Sequence, residues 1–108
     1  MHARTLAATL AIALLSAGGS LQAAPAAADR LDDAQAAMLR KDYPTAVRLL
    51  EPLAAGGNPI AQTRLGLLYY HGHGVRESDA EALRWFERAA RQGMPEAQFQ
   101  LANLYAYG

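Results

Sequence analysis

Slid along itself by 36 positions, this chain matches itself. Residues 43–72 and 79–108 share twelve identities in thirty positions without a gap. They are Ala46/Ala82, Arg48/Arg84, Glu51/Glu87, Ala54/Ala90, Gly57/Gly93, Pro59/Pro95, Ala61/Ala97, Gln62/Gln98, Leu65/Leu101, Leu68/Leu104, Tyr69/Tyr105 and Gly72/Gly108. Self-similarity at such a period marks an array of small supersecondary units, none of which can bury its apolar face alone. Neighbours must stack, so the core is a continuous seam rather than a single ball.

Each unit reads as two helices. Residues 79–92 place Ala82, Trp85, Phe86, Ala89 and Ala90 on one face, at i, i+3, i+4, i+7 and i+8. Ser78 with Glu81 three residues on is a capping box for that helix. Gly93 ends it, and Pro95 opens the next at a position where a missing N–H costs nothing. That next helix presents Ala97, Leu101, Leu104 and Tyr105. The earlier copy uses Asn58 as cap, Pro59 as opener, and Ala61, Leu65, Leu68 and Tyr69 as its face. Asp42 caps a helix from about Tyr43 to Ala55, which stops at Gly56-Gly57. One more helix, from about Asp29 to Lys41, precedes it without a glycine loop. The apolar content is 52%, much of it alanine, and β-branched residues are few. Such a composition favours helix over strand. The expected fold is all-α, an α/α solenoid of about 2.5 helix-turn-helix units.

The stretch Ala61-Gln-Thr-Arg-Leu-Gly-Leu-Leu-Tyr69, then Gly72-His-Gly-Val75, then Ala82-Leu-Arg-Trp85 and Ala89-Ala90-Arg-Gln-Gly93 resembles one whole Sel-like repeat. That family is related to the tetratricopeptide repeats. The resemblance covers residues 43–108, with a complete unit at about 59–93 and a last unit cut short. Residues 29–42 are similar to the shortened first unit of secreted members. By this resemblance the structural positions are Ala61, Leu65, Gly66, Tyr69, Gly72, Gly74, Val75, Ala82, Trp85, Ala89, Ala90, Gly93, Ala97, Leu101 and Tyr105. Ser78 replaces the usual aspartate, and serine caps equally well. Met94 stands where Asn58 stood, so the last helix lacks a side-chain cap.

The N-terminus carries His2 and Arg4, an apolar run from Leu6 to Leu15, and then the small residues Ser16-Ala-Gly-Gly-Ser20. That order is a secretory signal, and its apolar run is too short to span a bilayer. Cleavage after Ala23 or after Ala28 fits the residues. Residues 1–23 are accordingly read as signal peptide and 24–42 as a linker with the N-terminal helix. The remaining chain is expected in the periplasm or outside the cell, with no membrane span.

Composition narrows the chemistry. Ten basic residues balance ten acidic ones, which gives no general pull toward nucleic acid. The chain has no cysteine, so disulfides, thiolate metal sites and a cysteine nucleophile are excluded. His71 and His73, between Tyr70 and Gly74, invite a metal reading, with Glu77 or Asp79 as the nearest third ligand. Both fall on variable positions of the repeat, and exposed loop histidines explain them more simply. No cofactor or metal is expected. The phosphate-loop reading fails for want of Gly-Lys-Ser/Thr and a preceding strand. Ser78 is explained as a cap, and Ser78-Asp79-Ala80-Glu81 is not a Ser-x-x-Lys motif. Asp32 and Asp33 diverge on a helix and suit its first turn. Arg84, Arg88 and Arg91 form a basic stripe. Pairs Glu81–Arg84 and Glu87–Arg91 make it a solvated face first, and a docking patch for an acidic partner second.

Two functional classes remain. One is a scaffold that binds a protein or peptide, as the resemblance implies for exported repeat proteins serving cell-envelope assembly or signalling. The other is a cell-wall hydrolase, by analogy with relatives labelled β-lactamases, and the missing nucleophile chemistry speaks against it. The final helix, from about Pro95 to Tyr107, has no partner helix of its own unit after it. The chain is therefore expected to be a fragment of a longer gene, with Leu101, Leu104 and Tyr105 partly bare.

Overall fold

The computed structural model describes residues 26–107. The signal reading at residues 1–23 falls outside them. The described residues form five helices: α1 (Ala27–Leu39), α2 (Tyr43–Ala55), α3 (Pro59–His71), α4 (Asp79–Arg91) and α5 (Pro95–Tyr107). Each packs chiefly on its neighbours in the chain, α1 on α2, α2 on α3, α3 on α4 and α4 on α5. That is the connectivity of a solenoid.

Local chemistry sets the boundaries. The carboxylate of Asp42 accepts the Thr45 N–H at 3.4 Å, the Asn58 amide oxygen accepts the Ala61 N–H at 3.0 Å, and the Ser78 hydroxyl accepts the Glu81 N–H at 3.1 Å. Each satisfies a donor that the first turn leaves open. α1 differs from the expected span of Asp29 to Lys41, starting and stopping two residues earlier. Ala27 and Ala28 are strong helix formers and extend the start. Lys41 cannot belong to the helix, because its φ is +62°. Its position closes α1 through an Asp42 N–H to Ala37 carbonyl bond of 2.8 Å.

The core is a seam in two parts. The first joins Ala34 and Ala37 of α1, Ala46, Val47, Leu50 and Ala54 of α2, and Ala61, Leu65 and Leu68 of α3. The second joins Ala82 and Phe86 of α4 to Leu104 of α5. Tyr69 packs against both, and Trp85 packs against the first. Small residues bring the helices close. Gly66 is the extreme case: a Cβ there would sit 2.5 Å from Phe86 Cε1. Phe86 is fully buried, so its ring has little space into which to retreat.

A repeated hydrogen bond stitches successive units. Gln62 donates its side-chain amide to the Ala54 carbonyl at 3.0 Å, and Gln98 does the same to Ala90 at 3.3 Å. Donor and acceptor are each displaced by the repeat offset of 36. Gln62 is buried, and its oxygen accepts from Gln92 Nε2 at 3.0 Å; Gln92 also donates to the Gly57 carbonyl at 2.9 Å. Arg64 reaches back to the Leu31 carbonyl at 3.3 Å and ties α3 to α1.

Candidate protein-interaction site

The loop from Gly72 to Ser78 joins the two helices of the central unit. Gly72 caps α3 in the left-handed region at φ +70°, and Gly74 is at φ +78°. The His73 N–H donates to the Leu68 carbonyl at 2.9 Å, and the Ser78 N–H to the Tyr69 carbonyl at 2.9 Å. These bonds fold the loop back over α2. A Cβ on Gly74 would lie 2.8 Å from the Tyr43 carbonyl oxygen, so this position requires the absence of a side chain. Val75 then packs against the cluster that contains Val47 and Leu68.

The structure corrects the reading of both histidines as exposed. His71 is exposed, but His73 is half-buried. Its ring stacks on Tyr43 at 4.2 Å between centroids, with planes 16° apart. His71 stacks in turn on His73 at 5.4 Å, and Tyr70 meets His71 edge-on at 5.0 Å. The imidazole of His73 thus packs the loop onto its seat. Among the described residues, no group of three His, Asp or Glu side chains is placed to hold a metal ion.

The basic stripe of α4 is also rearranged. Arg84 pairs with Glu81. The expected Glu87–Arg91 pair is not formed. Arg88 instead lies over the Trp85 ring, 4.8 Å from its centroid, a cation–π contact that fixes the guanidinium on an apolar platform. Arg84, Arg88 and Arg91 are all exposed. Ser78 serves as the α4 cap, and Asp32 and Asp33 are exposed on α1. Hydrogen bonding from Thr45, and after it the charges of Arg40 and Arg48, hold the Asp42 carboxyl below its ordinary value against a smaller opposing effect of burial.

A cleft of about 180 Å³ opens between α4 and α5, lined by Asp79, Ala80, Leu83, Leu104 and Tyr105. Of the residues assigned to the repeat, Ala61, Leu65, Gly66, Ala82, Ala89 and Ala97 are buried. Tyr69, Gly72, Val75, Trp85, Ala90 and Leu101 are half-buried, while Gly74, Gly93 and Tyr105 are exposed. The sequence reading missed two features of this surface. The seat that Tyr43 offers His73 has no sequence signal beyond two rings thirty positions apart. The glutamine stitch had one, since Gln62/Gln98 is among the repeat identities, but identity alone does not say what the side chains bond.

No helix among the described residues is long and apolar enough to cross a membrane. No solved structure matches the chain significantly. Two curated relatives from Arabidopsis thaliana do. The ERAD-associated E3 ubiquitin-protein ligase component HRD3A is 39% identical over 62 residues, covering 56% of this chain and 9% of the relative. Component HRD3B is 42% identical over 48 residues, covering 44% and 8%. The match therefore spans less than a tenth of either relative's length. The family model described as Sel1 repeat matches residues 33–58, 59–94 and 95–108, the segments that carry the latter half of α1 with α2, then α3–α4, then α5. With most of its length matched in three consecutive segments, this chain belongs to the Sel1 repeat family.

Proposed function

We propose that the chain is an exported scaffold that holds a protein or peptide partner in the cell envelope. The observation that carries this reading is the stack itself. Three Sel1 segments give two adjoining helix pairs and a fifth helix, whose buried residues pack the seam and whose remaining faces are free for recognition. The relatives' names support the reading, because both are components of a larger ligase assembly. The signal-like order of residues 4–20 supports export. A cut after Ala23 suits the fold better than one after Ala28, which would remove Ala27 and Ala28 from α1.

Mass spectrometry of the exported protein should find Ala24 as its first residue; an intact Met1 on exported material would refute a cleaved signal. For the scaffold, crosslinked capture from envelope extract is decisive when run beside Leu65→Asp, which removes a fully buried knob. The folded chain should retain a protein that the unfolded one does not. Equal retention by both would overturn the scaffold reading. The arginine face adds a finer proposal, that the partner is acidic where it meets Arg88 on its Trp85 platform. Arg88→Glu should then weaken capture while circular dichroism shows the chain still folded.

A further inference from the structure

The central loop gathers two histidines into one place. His71 ends the last turn of α3, and His73 follows two residues on. Gly72 between them is left-handed, and the two ring centres stand 5.4 Å apart. A zinc ion held about 2.1 Å from one nitrogen of each ring, at the tetrahedral angle, leaves the ring centres about 5 Å apart. The pair therefore has the spacing of two ligands on one ion. The repeat does not itself ask for this arrangement, since the counterpart of His71 is Tyr107 and that of Tyr43 is Asp79.

One imidazole is fixed and the other is adjustable. His73 is half-buried, its ring rests on Tyr43, and its backbone N–H is bonded to the Leu68 carbonyl. His71 is exposed and can turn toward a shared ion. A carboxylate is rooted beside them. A Cβ built on Gly72 would lie 3.0 Å from the Glu77 Cβ, so the Glu77 side chain starts against the residue that separates the histidines. Glu77 is exposed and, among the described residues, forms no ion pair. With the side chains as they stand, no three ligands converge among the described residues. Rotation of His71 and Glu77 closes the set, and exposed side chains exchange rotamers within nanoseconds. We infer that His71, His73 and Glu77 bind a divalent ion of the zinc and copper class, which imidazole and carboxylate ligands suit. A fourth position is left for water or for a side chain of another protein. The site stands apart from the scaffold reading and needs no partner to be filled.

The probe is zinc chloride, titrated calorimetrically into the full chain carrying His2→Ala, which leaves His71 and His73 as its histidines. Binding should saturate at one ion per chain. Magnesium, which prefers oxygen ligands, should give no comparable binding, and copper should bind more tightly than zinc at the same residues. His71→Ala and His73→Ala, each shown by circular dichroism to be folded, should weaken zinc binding by at least about tenfold, and Glu77→Gln by about tenfold. A peptide of residues 69–78 carries the same three ligands and is too short to hold a helix. It should bind zinc at least about tenfold more weakly, because the folded loop has already brought the ligands together. Zinc should raise the melting midpoint of the parent chain and leave that of His71→Ala in place. Absence of saturable binding at one ion per chain, an affinity unchanged in any of the three variants, or a peptide that binds as tightly as the folded chain would each overturn the inference.

Discussion

The helices α3 and α5 are copies in sequence and differ in burial. Ala61 and Ala97 are both fully buried, so the helices enter the stack in the same way. Beyond that point they diverge. Leu65 is fully buried and Leu101 half-buried; Thr63 is 0% exposed and its counterpart Phe99 63%. Tyr69 is half-buried while Tyr105 is 66% exposed. The difference follows from neighbours. α3 lies between α2 and α4, whereas α5 packs chiefly on α4. In a solenoid, a residue type at a repeat position states what the position can contribute. The adjoining unit decides how much of that is realised.

The sharpest test substitutes the same residue in both copies. Leu65→Asp removes a buried apolar side chain and leaves a carboxylate without water, at a cost of about 3–5 kcal/mol. Leu101→Asp should cost about 1 kcal/mol, because a half-buried carboxylate can turn to solvent. Thermal melts followed by circular dichroism read both. Equal losses would show that α5 is as enclosed as α3 and would erase the contrast. Hydrogen exchange gives the same comparison without mutation, with residues 60–70 protected well beyond residues 96–106.

A smaller effect comes from exchanging the residues that differ between the copies. Gly66→Ala drives a methyl group into the Phe86 ring and should destabilise by about 1–3 kcal/mol. Its mirror, Ala102→Gly, adds backbone freedom to a helix interior and should cost about 1 kcal/mol for that reason alone. An unchanged midpoint for Gly66→Ala would mean that α4 stands further from α3 than the structure shows.

The glutamines come next. Gln62→Ala removes a buried side-chain bond to the Ala54 carbonyl, which keeps the Gly57 N–H, and leaves Gln92 with one bond fewer, for an expected loss of about 1–2 kcal/mol. Gln98→Ala acts at an exposed bond and should stay within about 0.5 kcal/mol. Both melts can be run on single variants. A Gln98→Ala loss equal to that of Gln62→Ala would show that the stitch is equally important in both units.

These contrasts also mark what was legible in the sequence. The helix spans of α2 and α5 followed from local signals: Asp42 and the Gly56-Gly57 pair for the one, Pro95 for the other. Periodicity put Leu65, Phe86 and Ala89 in the seam because a helical face is a local property. Pairings across units were not legible. Gly66 looked like a family position, but its reason is Phe86, twenty residues on. His73 looked like a loop residue, but Tyr43 thirty residues earlier stacks beneath it. Glu87 and Arg91 had the spacing of an ion pair. They remain apart, and on the same face Arg88 rests on Trp85. Spacing permits an exposed pair and supplies little energy to enforce it.

The smallest expected effect lies just ahead of the two copies, at the caps Asp42 and Ser78, which are also one repeat offset apart. Both accept a backbone N–H three residues on, from Thr45 at 3.4 Å and from Glu81 at 3.1 Å. Only Asp42 titrates. Its pKa is lowered in the folded chain, chiefly by hydrogen bonding from Thr45 and then by the charges of Arg40 and Arg48. A carboxyl with a depressed folded pKa contributes its full stability above the unfolded value, and that contribution is lost as pH falls through the folded value. The loss therefore falls in the acid range, below the ordinary carboxylate value, and neutral pH leaves the cap intact. Asp42 is a surface group beside a long 3.9 Å contact to Arg40, so the effect is a slight steepening of the acid limb of the stability curve. Asp42→Ser, which writes the second copy's cap into the first, keeps an acceptor and removes the titration. Melting midpoints of the two proteins, followed from neutral pH into acid, should run parallel and then converge, with the wild type losing more on the way down. If the difference between them stays constant across the acid range, the Asp42 carboxylate contributes nothing that a serine hydroxyl does not.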